Sequence, residues 1–175
     1  SGNISQSSKV IAQLSLHAHQ ALKEMRLFLH NLQPIDLERE GLAAVLMHRL
    51  EAVEGRASLE RTIDIDENLG LGPEEELSLF FIAQEALNNI IKHANASVIR
   101  VKLKKSKIGI LLEVHDNGKG FELDKVNRYG LGLNNMSERA KQINAILKIS
   151  SARNIGTRVV VLLRDADLPM AIEEK

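Results

Sequence analysis

Between Ile11 and Leu32 the apolar positions Ile11, Leu14, Ala18, Ala21, Met25, Phe28 and Leu32 recur at alternating spacings of three and four. Such a heptad seam predicts a single helix, about seven turns long with its lead-in from Ile4, ended where Pro34 removes a backbone donor. The stripe is narrow for a helix lying on its own domain. A coiled coil or helical hairpin is the expected setting.

A different pattern begins after Pro34. Asp36 can cap a second helix reaching Glu51, with Leu37, Leu42, Val45, Leu46 and Leu50 in one stripe and Gly55 as a natural stop. Residues Leu59 to Ile65 alternate as a strand, with Leu59, Arg61, Ile63 and Ile65 on one side, until Gly70-Leu71-Gly72-Pro73 interrupts. Pro73 suits a first helical turn, and Glu74 to Glu76 complement its dipole. Leu77, Phe80, Phe81, Ala83, Leu87, Ile90 and Ile91 supply the buried side of that helix, which is expected to run to about Ala94. Val98 to Leu103 and Ile108 to Val114 read as strands of an antiparallel hairpin turning at Lys104-Lys105-Ser106-Lys107. Phe121 to Tyr129 has little apolar periodicity and reads as a mobile loop. A helix follows from about Leu133 to Ile143, then a hairpin of Leu147 to Ser150 and Thr157 to Leu163 around Asn154-Ile155-Gly156. This element order predicts an α/β two-layer sandwich, a mixed and mostly antiparallel sheet with helices on one face, preceded by one long helix.

Composition narrows the partners. With 175 residues and 44% hydrophobic composition, the chain can bury one sizeable core and carry an appendage beside it. Lys plus Arg and Asp plus Glu are 23 each, so the chain carries no electrostatic footprint for nucleic acid or an acidic membrane surface. The absence of cysteine excludes disulfides, thiolate catalysis and the usual structural zinc sites, and it is compatible with a reducing cytoplasm. No apolar run approaches the length of a membrane span, and no direct membrane contact is expected. Ser1-Gly2 reads as a cloning remnant. A chain that opens directly into a helical pattern is expected to be a piece of a longer protein.

Chemistry gathers at four places. Glu85 and Asn89, four apart on the long middle helix, share one face, with Lys92 and His93 a turn further on. An amide oxygen such as that of Asn89 is a suitable hard ligand for Mg²⁺, which keeps several waters and takes phosphate oxygens, and Lys92 would add positive charge. Alone, these residues would read as the solvated face of an amphipathic helix. Asp116, at the end of a strand, offers a carboxylate to an exocyclic amine such as that of adenine, and Gly118 and Gly120 after it let the backbone approach a flat ring. A tight turn with a local Asp bond is the plainer reading. Gly130 and Gly132 precede a helix N-terminus, which favours phosphate, or else simply cap that helix. Gly118-Lys119 is not a Walker A loop, and Gly130-x-Gly132-x-x-Asn135 lacks the third glycine of a dinucleotide fingerprint.

Taken in order, Glu-x-x-x-Asn on a helix, Asp-x-Gly-x-Gly after a strand, Gly-x-Gly before a helix and Gly156-Thr157 entering a strand resemble the ATP-binding fold of histidine kinases and their relatives. The resemblance covers roughly Leu37 to Leu163. More narrowly, the stretches Gln84 to Ala94 and Gly130 to Ala140 look like sensor histidine kinases that pair with helix-turn-helix response regulators. Ala21 to Pro34 resembles the second helix of that group's dimerisation hairpin.

The resemblance implies ATP and Mg²⁺ as cofactors, with Asn89 holding the metal that bridges the phosphates and Asp116 receiving the adenine amine. Gly118 and Gly120 would make room for the base, and Thr157 would support it through water. Phe121 to Tyr129 would be the ATP lid, short and without the phenylalanine-rich segment of larger kinases, with Gly130, Gly132 and Leu133 at its far end. Glu85 would prepare the acceptor imidazole, and Lys92 and His93 would lie near the phosphates. The implied activity is protein histidine kinase, a phosphotransferase moving the γ-phosphate of ATP to a histidine for relay to a response regulator.

That acceptor histidine is expected outside this chain, because the arginine-rich run ending in Leu-His-Asp that carries it in the family is missing here. His17, His19 and His30 fall on the second hairpin helix. His48 and His115 read as surface or sheet-edge residues. The expected organisation is residues 1–34 as part of the dimerisation hairpin, 35–165 as the catalytic domain and 166–175 as a tail. Homodimerisation would occur in the parent protein through the hairpin, and the location would be cytoplasmic. The alternatives are an ATP-driven conformational module, or an anti-sigma serine kinase of the same superfamily, against which the heptad from Ile11 argues.

Overall fold

The computed structural model describes residues 37–54, 60–122 and 131–165. The chain divides between Ile35 and Asp36 into two units, and every described residue lies in the second. The heptad helix, the Asp36 cap, most of the lid segment, Gly130 and the tail fall outside the described residues.

The elements follow in the order α1 (Leu37–Glu54), β1 (Glu60–Ile65), α2 (Pro73–Asn89), a π-helical turn (Ile90–Ala94), β2 (Val98–Ser106), β3 (Gly109–Asp116), α3 (Leu131–Gln142), β4 (Ile146–Ala152) and β5 (Gly156–Arg164). One five-stranded sheet has the spatial order β1-β2-β3-β5-β4. β1 runs parallel to β2, since α2 intervenes as a crossover, and the other three pairings are antiparallel. The predicted mixed, mostly antiparallel sheet is therefore present.

Strand alternation decides which face the helices cover. Ile99, Val101 and Leu103 on β2, Ile110, Leu112 and Val114 on β3, and Val159, Val161 and Leu163 on β5 all point inward and are buried. On the helical side Leu79, Phe80, Ile82, Ala83, Ala86 and Leu87 of α2, Leu42, Leu46 and Leu50 of α1, and Met136 and Ala140 of α3 are buried as well. α2 is central, touching α1, α3 and β3. Each fully buried branched side chain contributes roughly 1.5–3 kcal/mol to this layer. Arg139 of α3 lies 4.0 Å from the centre of the Phe81 ring on α2, and its burial there lowers the guanidinium pKa.

The opposite face is polar. Arg100, Lys102 and Arg158 are exposed, and Arg158 forms a forked pair with Glu113 at 2.7 and 2.9 Å. The hydrogen bond from Arg158 holds the Glu113 carboxyl below its usual range. At the sheet edge Lys104 bridges Asp64 and Asp66. Among the described residues the sheet is thus covered on one side only, as predicted.

Several boundaries differ from expectation. α1 is interrupted at Gly41, whose φ of 76° and ψ of 163° are not helical. The long middle helix does not stay α-helical to Ala94, because its last five residues widen into a π turn closed by Asn95 in the left-handed region. The β2–β3 hairpin turns three residues later than the lysine run suggested. Lys104, Lys105 and Ser106 are all paired to β3, so the loop shrinks to Lys107-Ile108. Gly109 opens β3 at φ 130°, with its missing side chain facing the Leu163 backbone. Side-chain pattern registers burial, whereas these extensions are fixed by backbone pairing across neighbouring strands.

Candidate functional site

α2 and the π turn form one wall of a cavity of about 590 Å³, the inner ends of β3 and β5 form its floor, and the first turn of α3 closes a side. That volume suits a ligand of nucleotide size. Of the residues singled out from sequence, Glu85, Asn89, Lys92, His93, Asp116, Gly120, Gly132, Leu133 and Thr157 all line it. Gly118 does not, and Gly130 is outside the described residues.

Helical geometry supplies the wall. Glu85 and Asn89 are one turn apart and half-buried, so both lean into the cavity from the same face. Lys92 and His93 follow on the π turn and are exposed at its rim. Insertions of this kind re-aim the side chains beyond them and often accompany functional sites. Lys119 reaches the same cavity from the loop after β3. Three cationic or titratable basic side chains thus line a mouth whose carboxylates are Glu85 and Asp116, an arrangement that favours an anionic ligand group.

At the floor Asp116 is 2% exposed. Its Oδ1 accepts a hydrogen bond from the Gly118 N–H at 2.7 Å, which is the local turn bond expected of an Asp before glycine. The carboxylate retains acceptor capacity toward the cavity, so the local turn leaves it able to accept from a ligand donor. Asn117 secures the loop from outside. Its Oδ1 accepts the Ser97 and Val98 N–H groups at 3.0 and 2.9 Å, and its Nδ2 donates to Ser97 Oγ at 2.9 Å.

The glycines do different work. Gly118 is buried against the end of the π turn, where a Cβ would lie 2.7 Å from Ala94 Cβ and closer still to the Ala94 carbonyl oxygen. That carbonyl also accepts the Lys119 N–H at 2.7 Å. Gly118 therefore lets the loop dock on the helix rather than lining the cavity itself. Gly120 has a φ of 54°, and its missing side chain faces the Ala152 carbonyl on the β4–β5 hairpin. Gly132 is inside α3, not before it, and faces the Glu85 carboxylate, so the helix begins two residues earlier than the sequence suggested.

Apolar lining was less legible. Ala86, Ile90, Ala94, Val114, Phe121, Leu131, Met136 and Val159 complete the cavity. Val114 and Val159 stand two residues from Asp116 and Thr157 on the same strand faces, and that period was the available signal. Ser151 was missed altogether. Its Oγ lies between the Phe121 N–H, the Gly156 carbonyl and Thr157 Oγ1.

Comparison with known proteins agrees with this geometry. Residues 74–167, more than half of the chain, match the family model described as "Histidine kinase-, DNA gyrase B-, and HSP90-like ATPase". The sensor histidine kinase LiaS of Bacillus subtilis is 36% identical over 168 residues, covering 95% of this chain and 45% of the relative. The sensor protein VraS of Staphylococcus haemolyticus is 34% identical over 139 residues, covering 79% of this chain and 39% of the relative. The chain thus spans less than half the length of these relatives. Among solved structures, the histidine kinase domain of an Erythrobacter litoralis blue-light activated histidine kinase superimposes with a TM-score of 0.61 at 20% identity, over 70% of this chain and 60% of that one. The Acinetobacter baumannii histidine kinase AdeS does so with a TM-score of 0.63 at 12% identity, over 87% and 82%. These two likenesses show a shared fold.

Proposed function

Since the chain belongs to the family of histidine kinase-, DNA gyrase B- and HSP90-like ATPases, we propose that residues 35–165 are the ATP-binding catalytic domain of a sensor histidine kinase. The observation that carries this reading is a buried carboxylate, Asp116, at the floor of a cavity whose wall presents Glu85 and Asn89 one helical turn apart. The adenine amine donates to Asp116, the ribose and phosphates extend toward α2, and Lys92 and His93 face the phosphate charge. Among the described residues no group of three or more acidic or histidine side chains could hold a metal by itself. The half-buried Asn89 amide fits a partly hydrated Mg²⁺ carried on phosphate oxygens. Bound there, the ion would neutralise charge on the phosphates.

Phosphoryl transfer asks the protein chiefly for position and charge balance. An imidazole nitrogen of the acceptor histidine forms the new bond to the γ-phosphorus, the bond to the β,γ-bridging oxygen breaks, and ADP leaves. Glu85 stands on the cavity wall where it can polarise that imidazole and take its proton. The acceptor lies outside this chain, on the missing first helix of a hairpin to which residues 1–34 contribute the second. Dimerisation through that hairpin, relay to a response regulator and a cytoplasmic location complete the proposal. Among the described residues no helix is long and apolar enough to cross a membrane.

Titration calorimetry with ATP, in the presence and absence of Mg²⁺, tests the site. Asn89→Ala should weaken Mg²⁺-dependent binding about tenfold, the loss of one hydrogen-bond-scale contact, and change Mg²⁺-free binding far less. A folded wild type that binds no ATP would overturn the reading.

A further inference from the structure

Three strands present one polar residue each in a single row at the cavity floor. Asp116 on β3 is paired with Thr157 on β5, and Thr157 is paired with Ser151 on β4. Directly paired residues point to the same face, so the three side chains are neighbours. Asp116 and Thr157 line the cavity, while Ser151 stands behind Thr157.

Ser151 is fully committed. Its Oγ accepts the Phe121 N–H at 2.9 Å, lies 3.1 Å from the Gly156 carbonyl oxygen and lies 3.0 Å from Thr157 Oγ1. A serine hydroxyl has one proton and two lone pairs. The Gly156 carbonyl can only accept, so the serine proton goes there. One lone pair takes the Phe121 N–H, and the other is then left for the proton of Thr157. All three neighbours are satisfied together in this arrangement alone. Its consequence is directional: the Thr157 proton points away from the cavity and its lone pairs point in.

We propose that Ser151 is a positioning residue that holds Thr157 as a hydrogen-bond acceptor, so that the Asp116–Thr157 pair selects a 6-amino purine nucleotide against a 6-oxo one. The inference rests on the cavity being a purine nucleotide site, as argued above. An amino group in direct contact has two protons to give and meets two acceptors. A 6-oxo group has only lone pairs to offer and meets lone pairs. Without Ser151, the Thr157 hydroxyl is free to rotate and donate, which satisfies the oxo group and removes part of the discrimination.

The further role of the same hydroxyl is to hold the Phe121 backbone, where the lid segment leaves the sheet. The hairpin tip grips this stem elsewhere too, through the Asn154 N–H to the Lys119 carbonyl at 2.7 Å and Arg153 to Glu122 at 2.8 Å. Losing Ser151 therefore does not free the stem, and the expected effect is on selectivity more than on overall binding.

The test is calorimetric affinity for ATP and for inosine triphosphate, which carries a 6-oxo base, with wild type, Ser151→Ala and Ser151→Thr. Ser151→Ala should reduce the ATP-to-inosine-triphosphate preference roughly five- to tenfold, the scale of one hydrogen bond. Ser151→Thr, which keeps the hydroxyl on a strand that tolerates branching, should restore the wild-type ratio. A purely structural role for Ser151 would weaken both nucleotides alike and leave the ratio unchanged, and that result overturns the proposal. If Ser151→Ala does not fold, Ser151→Cys keeps the shape with a poor hydrogen-bonding group and must show the same shift. Wild type binding neither nucleotide would sink the site assignment itself, whereas wild type binding ATP with an unmoved ratio in the variants sinks this inference alone.

Discussion

Gly118→Ala should destabilise the fold although Gly118 has no unusual backbone angle, because the cost lies wholly in space. The added methyl would sit 2.7 Å from Ala94 Cβ, where carbon atoms need about 3.5–4.0 Å, so loop and π turn must separate by about 1 Å. Neither side yields cheaply. The Ala94 carbonyl is held by the Lys119 N–H at 2.7 Å, and the Gly118 N–H is held by Asp116 at 2.7 Å. Overpacking of this kind costs about 1–3 kcal/mol, and losing the Lys119 bond adds about 1 kcal/mol. The reduced freedom of alanine in the unfolded chain returns about 0.4–1 kcal/mol. The net expectation is a loss of about 1–3.5 kcal/mol. Urea unfolding followed by far-UV circular dichroism measures it, with the midpoint lowered and the slope unchanged. Adding Ala94→Gly should rescue only part of the loss, since the carbonyl remains in place. A Gly118→Ala midpoint within about 0.5 kcal/mol of wild type would mean that the loop does not dock on the π turn as described, and the argument for Gly118 would be wrong.

Two further outcomes are expected. In Asp116→Asn the amide oxygen still accepts the Gly118 N–H, so the fold should survive, but an NH₂ donor now stands where the proposed site would receive the adenine amine. Calorimetric ATP affinity should fall roughly 10- to 100-fold, the value of a hydrogen bond to a charged group; unchanged affinity would remove Asp116 from the site. For Glu113, whose pKa is lowered in the fold by Arg158, the contribution to stability is present above the unfolded carboxyl value and is lost as pH falls through the lowered one. Since Arg158 is half-exposed, the wild type should exceed Glu113→Gln by no more than about 1 kcal/mol at neutral pH, and urea midpoints of the two should converge in acid. A gap that widens on acidification would contradict the assignment.

Much of this protein is written in local pattern. The alternation in β2, β3 and β5 sets which residues enter the core, and the spacing of Glu85 from Asn89 places both on one helical face, because side-chain direction follows directly from backbone period. The order of the four motifs was enough to indicate the family, and nine of the eleven residues it singled out line the cavity. Tertiary structure decided what no local period encodes. α3 begins before Gly132, whose missing side chain faces the Glu85 carboxylate of α2, a contact between two distant segments. The π turn exists where the Ala94 carbonyl meets the Lys119 N–H from a loop 25 residues away, a bond that sequence spacing cannot announce. Ser151 is an ordinary polar residue in a strand until register sets it beside Thr157 and Phe121. Burial and periodicity are properties of one segment and can be read along it, whereas hydrogen bonds and close backbone approaches depend on where two segments meet, and only the folded chain supplies that.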